Sequence, residues 1–117
     1  NMLETNSHIF ERIEDFMKKT GEEDFFWPAF DFYVCRRLIE SMGSYFFVEG
    51  NAEAFTKRLS SLGILLKKEP YRSAFRNVDS SLMKKSWKMI CKFINKNQLL
   101  LAYVCYKLKS IKDSIQR

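Results

Sequence analysis

Lys84, Lys85, Lys88 and Lys92 follow one another at i, i+1, i+4 and i+8, a spacing that gathers four ammonium groups on one side of a helix. Lys67, Lys68, Arg72 and Arg76 stand just before them. The chemistry open to such a ridge is electrostatic. Closely spaced cations can neutralise several phosphates of a duplex backbone and release its counterions. Lysines outnumber arginines in this set, which favours backbone contact over bidentate readout of base edges. The competing explanation is the ordinary solvated face of an amphipathic helix.

Other residue types offer less. His8 is the single histidine and has no Cys or Ser constellation to serve. Ser80 and Ser81 stand before an apolar-periodic segment, the place of a helix cap rather than of a nucleophile. The four glycines are isolated at positions 21, 43, 50 and 63, so no glycine-rich phosphate loop is present. Glu22, Glu23 and Asp24 lack the alternating spacing and Gly of a calcium loop. Cys35, Cys91 and Cys105 have no metal-ligand spacing and read as core thiols of a reducing, intracellular compartment. The expectation is a non-enzymatic chain with no metal, no cofactor and no small-molecule substrate.

Charge is divided unevenly along the chain. Residues 1–60 carry eleven acidic and seven basic side chains, a net of −4. Residues 61–117 carry three acidic and thirteen basic ones, a net of +10. Such asymmetry points to a nucleic acid, a membrane surface or an acidic protein as partner. A membrane-spanning segment is not expected, because the longest strongly apolar window, Leu99 to Val104, is far short of the ~20 residues a span needs. With 117 residues, 46% of them apolar, and eleven Phe, the chain suffices for one core without staples. One helical domain over 1–117 is therefore expected. Asn1 ahead of Met2 is expected to be a cloning residue, and the chain a piece of a longer one.

The elements that must position the lysines follow from hydrophobic periodicity. Ile9, Phe10, Ile13, Phe16 and Met17 form a first helical stripe, with Thr5, Asn6 or Ser7 as cap and Gly21 as stop. Glu22 to Trp27 reads as a linker, and Pro28 as the first turn of a second helix carrying Phe32, Val34, Cys35, Leu38, Ile39 and Met42 inward. Gly43 is expected to end that helix, and Ser44 to Gly50 to form a loop. Asn51 caps a third helix, with Ala52, Phe55, Leu59 and Leu62 on one face and Gly63 as stop. Pro70 opens a short fourth helix with Tyr71, Ala74, Phe75 and Val78. Asp79 or Ser80 caps a fifth, with Met83, Trp87, Ile90, Cys91 and Ile94 inward and the lysines outward. Asn97 caps a sixth, whose inward stripe is expected to be Leu100, Val104, Leu108, Ile111 and Ile115, with Leu101 and Cys105 beside it. The sum is an all-α, compact bundle of about six helices.

From Phe10 to Ile64 the sequence resembles the AT-rich interaction domain (ARID) family. "FMKKTG" supplies Phe16, Met17 and Gly21 of an aromatic-Met helix running into Gly, and Pro28 follows after a loop. "DFYVCRRLIESMGS" is similar to the family's central signature, from Asp31 and Tyr33 through Leu38 to Gly43, with Val48 beyond. "AFTKRLSSLGI" places Phe55 where the family has a core Trp. The segment between Pro28 and Asp31 is shorter than in the family, Ser44 replaces a second Gly, and the recognition helix has two candidate places, Tyr71–Val78 and Ser80–Ile94. The resemblance implies a helical DNA-binding domain with a helix-turn-helix-like element, double-stranded DNA as partner and a nuclear location. Its contact residues would be Lys67, Lys68, Arg72, Arg76, Lys84, Lys85, Lys88 and Lys92. The alternative is a helical protein-interaction module for an acidic or aromatic-accepting partner, with Phe25, Phe26 and Trp27 as the aromatic contact.

Overall fold

The computed structural model describes residues 2–48 and 53–115. Six α-helices follow in order: α1 (Met2–Thr20), α2 (Glu23–Ser41), α3 (Phe55–Leu66), α4 (Tyr71–Asn77), α5 (Lys85–Asn95) and α6 (Leu99–Ile115). A π-helical turn, Met42–Phe46, extends α2, and a 3₁₀ turn, Ser80–Leu82, precedes α5. Among the described residues there is no strand, and the whole is an all-α bundle with extents of 43 × 29 × 29 Å.

The second helix is the hub. Val34, Cys35, Leu38 and Ile39 are fully buried on it, with Met42 buried just past its end, and it packs against α1 and α4. Each such aliphatic side chain contributes about 1.5–3 kcal/mol through burial. Phe10 of α1 sits where these three helices meet, edge-on to Phe30, Tyr33 and Tyr71 at centroid distances of 6.1, 5.9 and 5.9 Å. Asn6 is not a cap. The helix begins before it, at Met2, and its buried Oδ1 accepts from Nε and Nη2 of Arg37 at 3.1 and 2.7 Å, tying α1 to α2. Gly21, at φ +71°, is the left-handed stop expected after α1.

Several expected boundaries move. Glu22 to Trp27 is not a linker: α2 starts at Glu23, so Pro28 lies inside the helix rather than in its opening turn. An interior Pro costs about 3 kcal/mol. Here Phe26, Trp27 and Phe30 offset it by packing on the core, with Trp27 and Phe30 5.3 Å apart. Gly43 does not end α2, because the chain continues helically through the π turn where a loop was expected. A Cβ on Gly43 would collide with the Tyr106 hydroxyl of α6, so close approach, not termination, explains this glycine. Gly63 lies within α3, which runs on to Leu66. The expected cap at Asn51, Ala52 of the third stripe, and Glu49 and Gly50 of the expected loop fall outside the described residues.

The α5–α6 turn closes with a Schellman motif. Asn97 takes φ 57°, its N–H donates to the Ile94 carbonyl at 3.0 Å, and the Gln98 N–H donates to the Phe93 carbonyl at 2.8 Å. Asn97 thus stops α5 rather than capping α6. The last helix shows the largest departure. Ala102 is its buried residue, with Leu99, Tyr103, Cys105 and Tyr106 packed partly against the core. Leu100, Leu101, Val104, Leu108, Ile111 and Ile115, expected inward, are exposed.

Candidate functional site

All eight basic residues singled out in the sequence are exposed: Lys67 and Lys68 after α3, Arg72 and Arg76 on α4, Lys84 before α5, and Lys85, Lys88 and Lys92 on it. Among the described residues none of the eight takes part in an ion pair. No described carboxylate of the acidic first half is ion-paired with them.

Two helices arrange these charges. At about 100° per residue, Lys84, Lys88, Lys92 and Asn95 fall along one side of α5, with Lys85 at its margin. The buried Ile90 and Ile94 lie on the other side, and Cys91 is buried at the edge next to Lys84 and Asn95. The Asn95 Nδ2 donates to the Phe75 carbonyl of α4 at 2.7 Å, which fixes α5 beside α4. Asn95 also lines an open cleft of about 500 Å³ together with Lys67, Arg72 and Arg76. The lysine side of α5 and the basic residues around α4 hence meet at Asn95. No local pattern in the sequence marks this residue, and only its long-range hydrogen bond reveals its part. Lys84 points elsewhere, into a smaller cleft with Phe32, Arg36, Glu40, Trp87 and Lys109.

The start of α5 breaks the usual rule for helix ends. Asp79 does not cap it: its carboxylate accepts from the Ser81 hydroxyl at 2.6 Å and the Ser81 N–H at 3.0 Å, capping the 3₁₀ turn instead. Those bonds, and more weakly Lys88, hold the Asp79 carboxyl below the usual carboxylate range. The helix then begins at Lys85 with Lys84 in the cap position and no side chain accepting from its first N–H groups. Two lysines at the positive end of a helix dipole repel it. An anion at this point would relieve both the lysines and the free N–H groups.

The aromatic segment divides. Phe25 is 78% exposed, with the exposed Phe16 nearby, and Phe26 lies between them at 5.2 Å from Phe25 and 6.3 Å from Phe16. Phe26 and Trp27, expected at a partner surface, pack partly against the core, because the segment is helical and turns them inward. Among the described residues no group of three His, Cys, Asp or Glu side chains could hold a metal ion, and no helix is long and apolar enough to cross a membrane. Comparison with protein-family models, curated proteins and solved structures returned no match.

Proposed function

We propose that the chain is a non-enzymatic, ARID-like DNA-binding domain that grips duplex phosphates through the basic face of α4 and α5. The observation that carries this reading is that Lys67, Arg72 and Arg76 line one cleft with Asn95, next to the α5 helix that carries the exposed Lys85, Lys88 and Lys92, with none of these in an ion pair among the described residues. Free cations release the most counterions on meeting a phosphate backbone. The succession α4, a connection that includes the 3₁₀ turn, and α5 has the chain order of a helix-turn-helix with a lengthened turn, with α5 as the helix presented to the groove. A DNA partner implies action in the nucleus.

Reversing Lys84, Lys85 and Lys88 to Glu tests this. These side chains are exposed, so the fold should survive, as circular dichroism would report. Affinity for a short duplex should fall by roughly a hundred-fold, since phosphate contacts dominate such affinity. Unchanged affinity in that variant would remove the proposal. The exposed Phe16 and Phe25 favour a second reading, a helical protein-interaction module. Absence of any duplex affinity in the unaltered chain would promote it.

A further inference from the structure

The outward side of α6 is apolar and uncovered, while Ala102, Tyr103 and Tyr106 hold the helix to the bundle from the other side. Leu101, Val104, Leu108, Ile111 and Ile115 recur at steps of three, four, three and four residues, and all are exposed, Leu108 at 61%. That alternation is the a/d seam of a coiled coil, about 80° wide on a helix. Its centre lies about 140° around the helix from Ala102, the residue α6 buries in the bundle. From Ser110 to Ile115 every residue is exposed, so the seam runs beyond the body of the molecule. Single exposed apolar residues need no explanation, but a contiguous row of five in strict register does.

The charges beside the seam decide what fits it. Lys107 flanks it on one side and Lys112 on the other, at the g and e positions that set partner choice. Two parallel copies of α6 would bring Lys107 of one against Lys112 of the other, a repulsive arrangement between molecules that each carry a net charge of +6. A lipid surface wants a broad apolar face with aromatic residues, whereas the aromatics of α6, Tyr103 and Tyr106, are turned toward the core. We propose that this face is a docking seam for an amphipathic helix of another protein, one whose own apolar stripe is flanked by carboxylates. The partner's Leu or Ile side chains would enter between Val104, Leu108 and Ile111, and its Glu or Asp would meet Lys107 and Lys112.

The probe is a fluorescein-labelled peptide of three heptads with Leu and Ile at a and d and Glu at e and g, compared with a twin carrying Lys at e and g. Anisotropy titration should show the acidic peptide binding about ten-fold tighter than its twin or better. The double variant Leu108→Asp, Ile111→Asp, altered only at exposed positions, should keep its helicity and lose at least about ten-fold in affinity for the acidic peptide. Lys107→Glu with Lys112→Glu should invert the preference between the two peptides. Equal binding of both peptides, undiminished binding in the double variant, or no binding at all would overturn the proposal. So would a dimer in sedimentation that the double variant dissolves, which would give the seam to a second copy. Seam-dependent co-sedimentation with phosphatidylserine vesicles, with neither peptide bound, would give it to lipid. Duplex affinity should be the same in the double variant, which separates this seam from the basic face.

Discussion

Asp31 shows how a single side chain can be at odds with its surroundings. It is buried on α2, and burial, with Glu69 nearby, pushes its carboxyl up from 3.8 to about 6. Because the folded value lies above the ordinary one, the proton is held more tightly by the native state. The stability linked to it is complete below about pH 4 and is lost as pH rises through about 6. Asp31→Asn should therefore stabilise the chain at pH 7 by on the order of 1 kcal/mol and flatten the change in melting temperature between pH 4 and 7. An unchanged pH profile would show that the carboxyl is better hydrated than its position implies. The thiols make a second test. Cys35 and Cys91 are buried, and the neighbouring Cys91 thiol, together with burial, holds Cys35 above the usual thiol range. Cys105 is only half-buried. Under native conditions iodoacetamide should label Cys105 well before Cys35, as peptide mass spectrometry would read; equal rates would contradict the burial of Cys35 on α2.

At the scale of elements, legibility depended on contrast between faces. In α5 the apolar positions alternate with lysines, and in α2 Arg36, Arg37 and Glu40 stand between Val34, Leu38 and Met42; the stripes through Val34, Leu38 and Met42 and through Ile90, Cys91 and Ile94 are indeed buried. In α6 the run from Leu99 to Tyr106 is apolar all round, so periodicity could not choose a side. The bundle chose the side with Ala102, whose small side chain permits close approach, and with the tyrosines. Glycines misled for a related reason. Gly21 has the positive φ of a stop, while Gly43 is conditioned by a neighbour distant in sequence, which no local rule registers. Gly43→Ala should destabilise the chain by about 1–3 kcal/mol, because the new methyl meets the Tyr106 ring end. Removing the hydroxyl in the same chain, with Tyr106→Phe, should recover part of that loss in a urea titration. No recovery would place the strain in the π turn itself.

For the molecule as a whole, the uneven charge along the chain could be read from the sequence, and so could the lysine spacing on α5. What could not be read was that α4 and α5 bring Arg72 and Arg76 beside that lysine row, since the join depends on Asn95 reaching Phe75 across twenty residues. Nor could the sequence show that α5 starts without a side-chain cap, because Asp79 is spent on the 3₁₀ turn. The resulting shape has two outward faces of different chemistry: cations around α4 and α5, and an aliphatic row along α6. Counterion release makes the first of these directly measurable. Affinity of the unaltered chain for a short duplex, followed across salt concentrations, should fall linearly in a double-logarithmic plot with a slope of about −0.9 per phosphate engaged, roughly −4.5 to −7 for five to eight contacts. A slope near zero, or no duplex binding at low salt, would contradict the assignment of the basic face to DNA.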